Sequence, residues 1–301
     1  MISARGLPVV TKRRMTNRAS AWAMTLPALV FSVVMIGAPL GYVLWISLHH
    51  WFLGSVGAPA FVGLGNYTQM LRDPTFWLAF RVTLEISVGA LVVELVLGVY
   101  IAMLLNRQGR VIRIVRTLFL VPSVIPSVAA GMMWLFLFDP SFGFLDYVLK
   151  SAGLPTSGWL ASPTMVLPSL VLVDVWQWTP FVALIVIGGL QALPQEPLEA
   201  ALIDGASPFQ TFRYVVLPGI KPVIWVAALL RTMDVLRIFD TIYVMTQGGP
   251  GQASTSLNIY AYQQGFQYSQ MGYASALMIT LLLLVAVTTW VMSIFRRRST
   301  L

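Results

Sequence analysis

The chain has 301 residues, 57% of them hydrophobic and only 10% charged, with a formal net charge of +8. Soluble domains carry about 25% charged residues, so this composition describes a membrane protein and overrides the two soluble domains that length alone suggests. Cysteine is absent, which excludes disulfides, Cys-ligated zinc and thiol catalysis.

The N-terminus, "MISARGLPVVTKRRMTNR", is basic and precedes an apolar run, like the n-region of a signal peptide. The run is longer than the roughly 7–15 residues of a signal core and ends in His-His-Trp rather than a small-residue cleavage site. It reads as a retained first span, Trp22–Leu48. A membrane helix needs about 20 mostly apolar residues. Further runs of that length lie at Phe76–Leu105, Ile114–Phe138, Met165–Leu190, Val223–Met245 and Tyr273–Phe295, giving six expected spans. Pro27, Pro39, Pro122, Pro126 and Pro180 fall within them, which membrane helices tolerate. The only histidines, His49 and His50, are adjacent, so on a helix they cannot face one site; they read as interfacial side chains rather than metal ligands.

Orientation follows from the basic residues between spans. One side collects Arg5, Lys12, Arg13, Arg14, Arg18, Arg107, Arg110, Arg113, Arg116, Arg213, Lys221, Arg296, Arg297 and Arg298. The other has Arg72, Arg81 and Lys150. Both termini and the Glu199–Pro222 segment are therefore expected in the cytoplasm. The positive charge is explained by topology and calls for no nucleic acid. The outer connections, His49–Thr75, Asp139–Thr164 and Thr246–Gly272, are long enough for short surface helices and a docking face but not for a folded domain.

Ionisable groups at membrane depth mark pairing or function. Glu85 and Glu94 in the second span and Asp174 in the fourth suggest interior-facing or partner-facing positions, with Glu94 a candidate helix–helix anchor. Arg231, Asp234, Arg237 and Asp240 in the fifth span are three apart with alternating sign. Such a ladder winds round the helix. It reads either as pairing that fixes the bundle or, for Arg237 and Asp240, as contact with solute. In "VDVWQWTPF", Asp174, Trp176, Gln177 and Trp178 offer the aromatic faces and polar groups that bind sugars, against the alternative of an interfacial aromatic belt. Tyr243 is a further candidate on the same grounds. "TQGGPGQAST" has no Gly-Lys-Ser/Thr, and none of Lys12, Lys150 and Lys221 follows a glycine, so the chain has no nucleotide-binding P-loop. That turn reads as an outer loop.

Between the fourth and fifth spans lies "PLEAALIDGASPFQTFRYVVLP". Pro197 suits a first helical turn, and Leu198, Ala201 and Leu202 share a face. Gly205 interrupts the pattern. Ser207, Pro208 and Gln210 form an expected capping box, and Phe209, Phe212 and Val216 line one face of a second short helix ending at Leu217-Pro218. The segment reads as two short helices joined at Gly205: an interfacial amphipathic segment, or a plug for a partner's groove.

The same stretch resembles the EAA loop of ATP-binding-cassette importer permeases, at Glu199, Ala200, Ala201, Asp204, Gly205, Ala206, Phe212, Leu217, Pro218 and Pro222. "FVGLGNYTQMLRDPTFW", "VPSVIPSVAAGMMWLFLFDPSFGFL" and "FDTIYVMTQGGPGQAST" extend the resemblance to the carbohydrate-uptake branch, and within it to the first of two unequal permease subunits. The extra spans and outer insertion of the maltose importer's subunit are missing here. The resemblance implies an all-α, six-span permease: one domain, 1–301, with tails 1–21 and 296–301, a core 22–295 and a coupling loop 191–222. It implies ATPase coupling through Glu199, Ala200, Ala201, Asp204, Gly205, Ala206, Ser207, Phe209 and Phe212. Also implied are two cytoplasmic ATP-binding subunits carrying ATP and Mg, a second homologous permease, an extracytoplasmic binding protein, the bacterial inner membrane, and no cofactor on this chain. The expected solute is a sugar, with a polyol or glycerol phosphate, paired to Arg237, as the alternative. An ATP-independent secondary transporter and a membrane enzyme are the rivals. No inverted repeat supports the first and no convergent catalytic groups the second.

Overall fold

A computed structural model describes residues 18–107 and 109–299. Arg5, Lys12, Arg13 and Arg14 of the expected N-terminal tail lie outside these residues. Helix α1 (Arg18–Ser47) carries the first span, and its part up to Trp45 is a compact unit of its own. Pro27 and Pro39 are inside it, and Phe31, Ile36 and Leu40 are exposed. A helix apolar on every side suits lipid or protein, not water.

The second unit begins at Ile46. A two-residue hairpin pairs β1 (His49–His50) with β2 (Ala60–Phe61), and α2 (Gly65–Arg72) follows. His49 is buried against the Phe61 ring at 5.3 Å, while His50 is exposed and meets Phe52 at 4.9 Å. The two imidazoles lie on a strand, not the expected helix end, and still point to opposite faces. Among the described residues no group of His, Asp and Glu is placed to hold a metal.

Helix α3 (Pro74–Leu105) is started by Asp73, whose carboxylate accepts from the Thr75 amide at 2.8 Å, with Pro74 in the first turn. The apolar run in the third-span region is broken: α4 (Arg110–Phe119) and α5 (Val121–Val124) meet α6 (Ser127–Leu137) at a bend of 97°. The expected continuous span Ile114–Phe138 is thus corrected to a bent pair. Pro126 permits the bend, since it has no N–H and holds Ile125 in an extended conformation, ψ 129°. α7 (Phe144–Ser151) lies in the next connection, and α8 (Val166–Gln191) carries the fourth span.

The fifth span is shifted. α9 (Glu196–Ile203) precedes a turn, then α10 (Pro208–Thr211), a π-helical turn at Phe212–Val216 and α11 (Leu217–Val235) run on as one 28-residue helix. Helix α12 (Asp240–Met245) follows a break at residues 236–239. The expected span Val223–Met245 therefore starts 15 residues earlier and stops 10 earlier, and Leu217-Pro218 does not close the second short helix. α13 (Leu257–Tyr262) and α14 (Met271–Ser299) complete the chain. Among the described residues five helices are long and apolar enough to cross a membrane, and counting the bent pair as one crossing gives six.

Helices α3, α8 and α11 form the centre. Ala102, Val182, Val186, Ile220 and Ala227 make a fully buried seam between them. Gly98 lets α3 and α8 approach closely: a Cβ there would sit 2.5 Å from Val182 Cγ1 and 3.3 Å from the Ala183 amide nitrogen. Gly98→Leu is expected to destabilise the protein by about 1 to 3 kcal/mol through overpacking. Gly188→Ala, where nothing lies within 4 Å, is expected to be neutral or better. Thermal unfolding in detergent, followed by tryptophan fluorescence, compares them.

At the Pro74 end of α3, the hydroxyls of Tyr260 and Tyr273 both donate to Asp73, Tyr273 at 2.8 Å. One carboxylate thereby ties α3, α13 and α14. Burial alone would raise its pKa, but these hydroxyls and the Thr75 amide hold it below the usual carboxylate range. A carboxylate depressed in the folded state contributes stability above its unfolded pKa and loses it as pH falls through the folded one. Asp73→Asn is accordingly expected to lower stability at pH 7 by about 1 to 2 kcal/mol and to lose little further stability between pH 5 and 3, where the native chain weakens. Thermal unfolding at pH 7, 5 and 3 checks both.

Candidate functional site

Two features stand out. The first is a cavity of about 370 Å³ lined by Ser127, Asp174, Trp178, Arg231 and Asp234 and by the segment Arg237–Thr241. Its wall is built where the two breaks in the helical backbone come together. Pro126 begins the turn into α6, and residues 236–239 separate α11 from α12. α6 and α12 run close at Gly131, where an added Cβ would lie 3.4–3.5 Å from Val244 and Met245. Non-helical backbone at membrane depth is tolerated where it is held by protein or lines a cavity. Both breaks meet that condition. The Gln177 amide donates to the Ile125 carbonyl at 2.8 Å, and the Asn258 amide to the Arg237 carbonyl at 2.9 Å.

Behind the wall is a buried ionic cluster. The Arg231 side chain is 1% exposed and Glu94 is fully buried. Arg231 Nε and Nη2 donate to the two carboxylate oxygens of Glu94 at 2.7 and 2.8 Å, a bidentate fork. Nη2 also donates to Asp174 at 2.8 Å. The guanidinium carbon lies 4.8 Å from the centre of the Trp178 ring. One cation thus joins α3, α8 and α11.

The sequence marks Glu94 as a candidate helix–helix anchor, as the structure has it, but does not identify Arg231 as the partner it shares with Asp174. The available signal was one acid on each of two spans and a base on a third, which apolar surroundings force together. The ladder is only partly realised. Asp234 lies 4.0 Å from Arg231 and 3.1 Å from Arg237, but Asp240 is beyond the break and off the helix. Glu85, expected to face the interior or a partner, is exposed on this chain and paired with Arg81 at 2.7 Å.

Of the candidate solute contacts, Asp174, Trp178, Arg237 and Asp240 line the cavity. Trp176 does not; it packs edge-on against Trp134 at 5.6 Å in the core. Gln177 is buried and spent on the break in the third span. Tyr243 is not among the residues that line the cavity: it stacks on Phe239 of the wall and meets Tyr262 through their hydroxyls at 3.3 Å. Helical rotation explains the split for the tryptophans, since Trp178 lies about 40° from Asp174 and Trp176 about 200°, while Gln177 is taken up by its bond to the Ile125 carbonyl. The loop after α12 is closed on itself, with Thr255 Oγ1 donating to the Gly248 carbonyl at 3.0 Å.

The second feature is the knuckle at Gly205, in the left-handed conformation at φ +71°. The Ala206 amide donates to the Ala201 carbonyl at 3.0 Å and the Gly205 amide to Leu202 at 3.1 Å. That is a Schellman turn, which leaves glycine the favoured residue. Ser207 and Gln210 form the expected capping box. Ala201 is buried, while Leu202, Ile203 and Phe209 are 71%, 86% and 74% exposed. Glu199, Ala200, Asp204 and Ser207 are also exposed, and Ala206 and Phe212 are half-buried. Leu202 therefore leaves the face it was expected to share with Ala201. Phe209 and Phe212 border a separate, apolar groove of about 650 Å³ with Leu95, Val99 and Met103 of α3. It is larger than the charged cavity but offers almost no polar group to orient a polar solute.

A family model described as "Binding-protein-dependent transport system inner membrane component" matches residues 94–300. The probable ABC transporter permease protein y4oQ of Sinorhizobium fredii is 39% identical, over 91% of this chain and 88% of its own length. The trehalose/maltose transport system permease protein MalF of Thermococcus litoralis is 36% identical, over 92% and 93%. Among solved structures, a chain from a bacterial alginate ABC transporter in complex with its alginate pentasaccharide-bound periplasmic protein has the same fold. Its TM-score is 0.80 at 20% identity, covering 93% of this chain and 94% of that one. The bent third span, the cavity between α8, α11 and α12, and the EAA knuckle thus sit on a known frame, and the chain belongs to the family of binding-protein-dependent inner-membrane permeases, as a transport subunit of an ABC importer.

Proposed function

We propose that this permease carries a sugar or sugar-like solute through the cavity at Asp174, Trp178, Arg231, Arg237 and Asp240, and that the knuckle at Glu199–Phe212 engages a cytoplasmic ATPase. The observation that carries this reading is mechanical. Pro208–Val235 is one unbroken helix with the knuckle at one end and Arg231 near the other. From Pro208 to Arg231 it spans roughly 35 Å at about 1.5 Å per residue. A force on the knuckle therefore reaches the cavity wall through a single rod. The exposed Leu202, Ile203 and Phe209 form an apolar tip suited to a partner's groove.

In this reading ATP and Mg sit on two partner ATPases, which close around nucleotide and push the knuckle. The rod tilts, Arg231 carries α3 and α8 with it, and the cavity opens to a docked binding protein on the outside. Hydrolysis returns it inward. A second homologous permease supplies the facing wall. The basic connections and both termini face the cytoplasm, and the carbohydrate assignment follows the trehalose/maltose relative. Purifying the complex from its native host in mild detergent tests the reading. An ATPase and a second permease should accompany the chain, and uptake of trehalose or maltose should stop when ATP is withdrawn. Uptake that survives on an ion gradient alone would contradict it.

A further inference from the structure

The cavity's charges are not evenly spent, and this bears on which solutes it accepts. The inference rests on the reading of the cavity as part of the solute pathway. Both cations on the wall are already engaged. Arg231 is held by Glu94 and Asp174. Arg237 is paired with Asp234 at 3.1 Å, and its Nε donates to the Met233 carbonyl at 2.7 Å. No lysine lines the cavity. Asp240 is different: it is exposed on the cavity wall, and among the described residues its carboxylate has no ion-pair or hydrogen-bond partner. The start of α6 at Ser127 supplies an opposing field, but only a partial charge.

We propose that this wall selects by charge: it favours neutral or cationic polyhydroxylated solutes and holds back anionic ones, and Asp240 sets the preference. A carboxylate or phosphate entering here finds no unengaged guanidinium. At Arg237 it has to share the guanidinium with Asp234, and it meets the repulsion of Asp240 in a concave site whose low-dielectric walls concentrate the field. Hydroxyl groups have the opposite experience, because a carboxylate offers about four acceptor sites and no donor. Glycerol phosphates and uronates are therefore disfavoured, and neutral sugars, polyols and amino sugars fit.

The natural lack of cysteine makes a direct test available. Ser127→Cys places one thiol on the wall of the assembled complex, with Ile238→Cys as a second position should the first impair assembly. Each is treated with a cationic (trimethylammonium-ethyl) and an anionic (sulfonatoethyl) methanethiosulfonate. The thiolate attacks the sulfenyl sulfur, a mixed disulfide forms and methanesulfinate leaves. Modification is read on this chain by mass spectrometry, and rates are normalised to a free thiol in solution.

The expected result is a cation preference of about five- to tenfold, dropping at least threefold when Asp240→Asn is added. Arg237→Gln, which frees Asp234, should raise the preference. Equal rates, an anion preference, or a preference indifferent to Asp240→Asn would overturn the charge proposal while leaving the pathway reading intact. If neither reagent reaches either thiol with or without nucleotide and binding protein, the pathway reading itself is overturned, and the charge proposal with it.

Discussion

Arg231→Met is expected to destabilise the permease by about 3 to 5 kcal/mol, the largest effect of any single side chain here. It leaves Glu94 and Asp174 facing each other at membrane depth without their shared cation, and a buried charge stripped of its partner carries the full desolvation penalty. Arg231→Lys keeps the charge but not the planar fork that meets both Glu94 oxygens, so it should fall between the two. The combined change Arg231→Met, Glu94→Gln, Asp174→Asn is expected to recover most of the loss, because replacing a whole buried ionic group is far less damaging than breaking it. Thermal unfolding of the purified complex ranks the three. Wild-type stability in Arg231→Met would show that the cluster does not hold α3, α8 and α11 together.

Gly205→Pro is expected to lower solute-stimulated ATPase activity and uptake at least tenfold while leaving the membrane core nearly as stable as before. Proline fixes φ near −65°, whereas this position stands at +71°, and it removes the amide that donates to Leu202. The damage stays local, since a Cβ at position 205 meets nothing within 4 Å. Gly205→Ala keeps the amide and pays only the left-handed strain, about 1 to 2 kcal/mol, so partial coupling should remain. Ile203→Asp, which charges the exposed tip without touching the turn, should uncouple with no loss of core stability. Thermal unfolding run beside the ATPase assay separates the two effects. A Gly205→Pro complex that still hydrolyses and transports at the native rate would remove the knuckle from the mechanism.

Local features of this fold are legible in the sequence and long-range ones are not. The capping box at Ser207 and Gln210, the glycine turn and four of the spans depend on neighbours a few residues apart, and those spacings are visible in one chain. The bend at Pro126 was missed because membrane helices tolerate proline. Pro180 sits inside an intact α8, and what differs at Pro126 is a tertiary partner, Gln177, which takes the open Ile125 carbonyl. The fifth span was misplaced for a related reason. Hydropathy drops at Arg213 and Lys221 although the helix continues through them, and apolar residues persist past Val235 although the helix stops. The alternating charges put Arg231 in a ladder whose pairing can run within its helix or between helices, and its strongest partners are 137 and 57 residues away. No local period encodes that pairing. Trp176 and Gln177 were grouped with Trp178 because they adjoin it in sequence, and the helical turn separates them.

The proposed contact of the knuckle with an ATPase can be captured directly. Ile203→Cys gives a single thiol at the exposed tip of a chain that has no other. A short thiol-to-amine cross-linker applied to membranes of the native host should join this chain to a nucleotide-binding subunit, and ATP with vanadate should change the yield. Cross-links to lipid-facing neighbours only, with no ATPase captured in any nucleotide state, would contradict the account.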